Sequence, residues 1–200
     1  MTIPNSLTTI SNQAFQTCGF ESLTLSNSLT TIGDKAFWSC AACAGSLIIP
    51  DSVTSIGDQA FFNCMSFTSL TIGTRVTSIG ESAFKKCTYL DSIMVYPETP
   101  PALGTDAFAY VTTNIPVTVP CGKVDAYQSV SGWDEFTHMR EGYCDPLTYS
   151  INPDGVSVTV TGHVDGTNAT GELIIPETKT IDTLLDYSRG NCIKPPTPLA

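Results

Sequence analysis

The chain has 200 residues, 42% of them hydrophobic, and a formal net charge of −10 at pH 7. That suffices for one elongated domain with an appendage, and no run of about 18 apolar residues offers a membrane span. The acidity argues against nucleic acid or anionic lipid as partner. It is unevenly spread: residues 1–90 carry five acids against four Lys/Arg (−1), and residues 91–200 fourteen against five (−9). Solubility accounts for this, and no D-x-D-x-D-G loop supports calcium.

In chain order, one nine-residue phrase recurs. Ile10-Ser11-Asn12-Gln13-Ala14-Phe15-Gln16-Thr17-Cys18 returns at Ile32–Cys40, Ile56–Cys64 and Ile79–Cys87, and Asp106-Ala107-Phe108 keeps a degraded fifth copy. The steps between the phenylalanines are 22, 24 and 23 residues, a period that signals stacked coils. Each copy opens on an apolar alternation, such as Leu47-Ile48-Ile49-Pro50 or Leu70-Thr71-Ile72-Gly73. Period-2 patterning and β-branched content predict a strand there. A second short extended run follows (Leu7–Ile10, Leu29–Ile32, Val53–Ile56, Val76–Ile79), and then one helical turn is expected to present Ala and Phe inward. Stacked coils place equivalent residues in ladders about 4.8 Å apart. Ala14, Ala36, Ala60 and Ala83 are then small because backbones meet there, and Phe15, Phe37, Phe61 and Phe84 form an offset aromatic stack.

The pattern L-x-I-P-x-S-[LV]-T-x-I-G-x-x-A-F-x-x-C, best kept from Leu47 to Cys64, resembles the BspA-type leucine-rich repeat, also described as the Treponema-type repeat of bacterial surface proteins. The resemblance covers residues 1–112. It implies an α/β, strand-rich, horseshoe-like solenoid with short helical turns. Val117–Tyr127 and Gly132–Phe136 look like the coil that closes such arrays, giving a closing segment over 113–146. Met1 stands where a repeat expects its first strand residue, so the chain reads as a piece of a longer array, without a signal peptide of its own. Beyond Pro146, Leu147–Asn152 and Val156–Val160 flank Pro153-Asp154-Gly155, a hairpin signal. Leu173-Ile174-Ile175-Pro176 repeats Leu47–Pro50, so 147–177 reads as a hairpin leading into a second array. Residues 178–200 read as a truncated tail without fixed structure.

Of eight cysteines, Cys18, Cys40, Cys64 and Cys87 share one repeat position. Parallel Cβ vectors in such a ladder oppose a disulfide dihedral, so these are expected to be free thiols packing as small apolar groups. Cys40-Ala41-Ala42-Cys43 spells C-x-x-C, but no second pair or His pair completes a zinc site. Only Cys121 and Cys144 remain as a bridge. The two histidines, His138 and His163, stand in separate polar regions, and no nucleophile elbow, H-E-x-x-H or P-loop occurs. The reading is therefore non-enzymatic, with no cofactor and no metal. A sugar lyase of the β-helix type would need Arg, Lys and Asp clustered on consecutive coils, and no such cluster is present.

Function is then sought on the outer strand face. Ser22, Thr24, Ser46, Ile48, Ser69, Thr71, Ser92 and Met94 are the candidate partner-binding residues, because alternate strand residues face outward. The resemblance implies a cell-surface or secreted adhesion module of a host-associated bacterium, binding host extracellular-matrix or cell-surface proteins. A structural spacer would carry the same Ser/Thr ladder. A carbohydrate-binding solenoid ranks behind both, since the repeats place their aromatics inside.

Overall fold

A computed structural model describes residues 1–142 in full and the backbone of three strands beyond them. The chain divides into two units, Met1–Glu141 and Gly142–Ala200. In the first, β1 (Thr9–Ile10), β2 (Thr31–Ile32), β3 (Gly45–Ile49), β4 (Ser55–Ile56), β5 (Phe67–Ile72), β6 (Ser78–Ile79), β7 (Ser92–Val95), β8 (Ala102–Leu103) and β9 (Pro116–Val119) precede helix α1 (Val124–Gln128) and β10 (His138–Glu141). In the second, β11 (Leu147–Ile151), β12 (Ser157–His163) and β13 (Gly171–Ile174) follow.

The strand-rich solenoid expected from the repeats is what the chain forms. Two parallel sheets face each other across its core: a narrow one in the order β1-β2-β4-β6-β8 and a wide one in the order β10-β9-β7-β5-β3. Registers join repeat-equivalent residues, Ile32 with Ile56 and Ile56 with Ile79 in the narrow sheet, Leu47 with Leu70 and Leu70 with Ile93 in the wide one. A coil of 22 to 24 residues thus brings its strands back beside their predecessors, and each passage around the core is the crossover that parallel pairing requires.

The interior is periodic. Phe15, Phe37, Phe61, Phe84 and Phe108 stack with centroids 5.4, 5.1, 5.4 and 5.2 Å apart and ring planes within 13° of parallel. Strand spacing imposes that separation, and it suits offset stacking. Each inner ring touches one on either side, so loss of one costs about 3–5 kcal/mol. Ala36, Ala60 and Ala83 are wholly buried beside the rings. Ala14 is exposed and Phe15 half-buried, because within this chain only one coil covers them.

The corner that the sequence suggests as a helical turn is built differently. Alternate residues there have positive φ, Gln59 at 55° and Asn63 at 58° in the third copy, with the same pair in each of the others. The N–H groups of Ala60, Phe62 and Cys64 bond three residues back, to Gly57, Gln59 and Phe61. Those of Gln59, Phe61 and Asn63 donate across to Glu81, Ala83 and Lys85 of the next coil, each at 2.8 Å. An α-helix would turn all its N–H groups onto its own carbonyls, whereas this alternation lets the corner join the coil-to-coil ladder.

Just before each corner, an Asn or Asp carboxamide or carboxylate accepts a backbone N–H of the following coil. Asn12 Oδ1 takes the Asp34 N–H at 2.9 Å, Asp34 Oδ1 that of Asp58 at 2.9 Å, and Asp58 Oδ1 that of Glu81 at 2.7 Å. The motif glycine faces this oxygen. A Cβ at Gly57 would lie 2.5 Å from Asp34 Oδ1, and one at Gly80 2.5 Å from Asp58 Oδ1, closer than real Cβ contacts come.

After β9 the chain leaves the repeat. α1 and the turns after it bury Tyr127, Trp133 and Phe136. Trp133 lies 5.4 Å from Phe108 at 49°, ending the parallel stack, and its Nε1–H donates to the Pro101 carbonyl at 2.9 Å. The Tyr127 hydroxyl donates to the Pro97 carbonyl at 2.7 Å, and burial pushes its pKa well above the ordinary phenol value.

In the second unit β12 pairs antiparallel with β11 and with β13. Tyr149 to Ile151 meet Val160 to Val158, the pairing that a hairpin requires. The Pro153-Asp154-Gly155 turn lies outside the described residues. Leu173 and Ile174 oppose Val158 and Ser157 in antiparallel register, whereas the Leu47–Pro50 segment that they repeat pairs parallel. The tail from 178 also lies outside the described residues.

Candidate functional site

The wide sheet turns one row of side chains into the core and the alternate row to solvent. Leu47, Ile49, Leu70, Ile72, Ile93, Val95, Val117 and Val119 are buried. Between them run two outward ladders. One passes from Ser46 to Ser69 to Ser92. The other passes from Ile48 to Thr71 to Met94, then to Thr118 and Arg140.

Six of the eight predicted residues therefore share one hydrogen-bonded sheet. Ile48 is the most prominent, 58% exposed, and Met94 is 36% exposed, with half-buried Thr71 between them. Ser69 donates to the Ser46 hydroxyl at 2.7 Å, and Ser92 to Asp91 Oδ1 at 2.9 Å. Ser22 and Thr24 are exposed but stand outside this sheet. Thr24 forms a single parallel bridge to Thr2, and β3 is the sheet's edge. Coil length explains the break. The passage from Cys40 to Leu47 is two residues longer than that from Cys18 to Leu23. Gly45 takes φ +88° at its end, and the register shifts between Gly45 and Ser46.

Sequence reasoning missed the continuation of the face through Thr118 and Arg140, whose Nε–H donates to Thr118 Oγ1 at 3.1 Å. Val117-Thr118-Val119 shows the same alternation as the repeats and was a usable signal. Arg140 sits in no repeat and had none. A second surface feature was also overlooked. Trp38 and Phe62, each following the motif phenylalanine, stack at 5.8 Å and 5° outside the core, with Lys86 Nζ 5.6 Å from the Phe62 ring centre.

The cysteine ladder is chemically quiet. Cys18, Cys40, Cys43, Cys64 and Cys87 are free. The Cys40, Cys64 and Cys87 thiols donate to the carbonyls of Phe15, Phe37 and Phe61 at 3.0, 3.0 and 3.2 Å. Burial pushes Cys43 up to about 11, Cys87 up to about 12 and Cys64 well above the ordinary thiol range. These are the opposite of activated nucleophiles. Cys121 is disulfide-bonded; the pairing with Cys144 lies outside the described residues. Among the described residues no group of three or more His, Cys, Asp or Glu is arranged to hold a metal, and no helix is long and apolar enough to cross a membrane.

The face is thus a flat, hydroxyl-bearing β surface with isolated apolar side chains, suited to contact rather than to bond making. No curated protein matches the chain. A profile of the BspA type leucine rich repeat region matches residues 1–116 in 6 copies, the same stretch that carries the stacked coils. Repeats of this kind are typical of surface-associated or secreted proteins and generally serve interaction rather than catalysis. Ladder, coil length and profile agree, and the chain belongs to the BspA-type leucine-rich repeat family.

Proposed function

We propose that this chain is a non-enzymatic adhesion module of a surface-displayed or secreted bacterial protein. In this reading 1–112 supply the binding array, 113–146 close it, and 147–177 connect it onward. The outer ladder of the wide sheet docks host extracellular-matrix or cell-surface proteins. The observation that carries this is the pair Ile48 and Met94, apolar side chains held to solvent at the centre of a flat sheet. Burying a side chain of that size against a partner contributes about 1.5–3 kcal/mol, and central apolar anchors ringed by neutral contacts dominate interface energetics.

Ile48→Asp with Met94→Asp tests it. Both side chains face solvent, so each change alters stability by about 0.5 kcal/mol or less. A partner covering the face would bury two unpaired carboxylates. Binding of the wild type to immobilised extracellular-matrix proteins, measured by interferometry, is expected to be lost in the double variant at unchanged melting temperature. Equal binding by both moves the site off this face. A spacer role is favoured by one specific observation: the Ser46 and Ser69 hydroxyls, and those of Thr30, Thr54 and Thr77 on the narrow sheet, already bond within the array. The spacer reading predicts no saturable binding by the wild type to any of these proteins.

A further inference from the structure

Each of the first four corners passes three N–H groups to the coil that follows. They come from the motif phenylalanine and the residues two before and two after it. The acceptors lie at 2.7–2.9 Å at every such junction, from Gln13, Phe15 and Thr17 through to Ser82, Phe84 and Lys86. The fifth corner has the same backbone. Asp106 and Tyr110 take φ 59° and 68°, and Ala107, Ala109 and Val111 bond back to Gly104, Asp106 and Phe108. No further repeat corner follows it. Among the described residues no acceptor meets the N–H of Asp106, Phe108 or Tyr110.

The closing segment stands there instead, with Trp133 and Phe136 against the Phe108 ring. Between corner and segment lies a cleft of about 380 Å³ lined by residues 103–109 with Ser131, Gly132 and Glu135. We propose that this cleft is a binding site for a neutral carbohydrate of one or two sugar rings, with the main-chain donors and the two carboxylates as its recognition groups. The proposal is independent of the protein-binding reading and uses none of the wide-sheet residues.

The chemistry narrows the ligand class. The Asp106 and Phe108 amides are donors only, and the Asp106 and Glu135 carboxylates acceptors only, with the Thr105 and Ser131 hydroxyls able to be either. Lys85 Nζ holds Asp106 through Oδ2 at 2.7 Å, which orients that carboxylate. An anion would suit the N–H row but meet two negative groups. A cation would suit the carboxylates but meet the N–H row. An apolar ligand would leave both unpaired. Sugar hydroxyls donate and accept, so one polyol satisfies both sets at once, displacing the water that otherwise hydrates them. The volume lies in the range of small-molecule sites.

The test titrates the full-length ¹⁵N-labelled chain with methyl glycosides of glucose, galactose, mannose and N-acetylglucosamine, then with lactose and maltose. At least one of these is expected to shift the Asp106, Phe108 and Tyr110 amide signals saturably while leaving that of Ile48 in place. Glu135→Ala should weaken that sugar by about tenfold or more, and Ser131→Trp, which fills the cleft from an exposed position, should abolish the shifts. No saturable shift with any of the six sugars overturns the proposal. So does a shift that survives Ser131→Trp, and so does inorganic phosphate saturating the same amides in their place.

Discussion

Cys64 and Cys87 each occupy a position where a side chain must be small, apolar and able to donate one weak hydrogen bond to a phenylalanine carbonyl of the preceding coil. A thiol meets all three demands, which explains cysteine there in a chain without a metal or nucleophile motif. Burial also gives these residues a pH signature. The ordinary thiol value is 9.0, and the folded values of Cys43 and Cys87 are raised to about 11 and about 12. Above pH 9 the unfolded chain loses thiol protons that the folded chain keeps. Stability is therefore fully present below about pH 9 and falls as pH rises toward about 12, by about 1.4 kcal/mol per pH unit for each such thiol. Urea unfolding at pH 8 and pH 10.5 checks this. Cys87→Ala should reduce the loss between the two pH values, and an unchanged difference would place Cys87 at the surface.

At the scale of the element, the corner matters most. Its left-handed residues are all non-glycine: Gln13, Lys35, Gln59, Ser82 and Asp106 at the first position, Thr17, Ser39, Asn63, Lys86 and Tyr110 at the second. Left-handed backbone costs an L-residue roughly 1–2 kcal/mol. The array bears that cost because each such residue also donates to the next coil, save at the last corner. Gln59 separates the two effects. Gln59→Pro fixes φ near −65° and removes the N–H that bonds Glu81, a loss of about 3 kcal/mol or more. Gln59→Gly keeps the N–H and relieves the backbone, so it should be neutral or slightly stabilising, within about 1 kcal/mol. Thermal unfolding of the two variants checks the pair. Equal destabilisation by both would mean that the Gln59 side chain, not its backbone, holds the corner.

The array as a whole is a chain of nearest neighbours, so its stability is set coil by coil and its ends are its weak points. Trp133 covers the last phenylalanine of the stack and anchors on Pro101. Trp133→Ala should remove about 3–5 kcal/mol from that end. Hydrogen exchange should then accelerate first in the corner at 104–111 and in β8, and least around Phe37. Uniform acceleration across 30–111 would show instead that the array opens as one cooperative unit.

The repeat length, the two strands per coil, the inward Ala and Phe and the free thiol ladder were all legible in the chain. Stacking makes them so: at fixed period, the partner of Phe61 can only be Phe37 and Phe84, and of Leu70 only Leu47 and Ile93. Other features break the period, and no local pattern announces them. The detachment of Ser22 and Thr24 depends on how two extra residues before Leu47 are accommodated, which Gly45 and a register shift decide. The corner's alternating bonds depend on carbonyls some 22 to 26 residues away being in reach, and propensity alone suggests a helical turn. The closure by Tyr127, Trp133 and Phe136, and the donor row left facing it at Asp106, Phe108 and Tyr110, arise because residues outside the repeat take the place of a sixth corner. Sequence alone determined what every coil shares with its neighbours, because identical coils stacked in register have one way to pack. Only the tertiary structure decided where that sharing stops, since each interruption is settled by contacts the repeat does not contain.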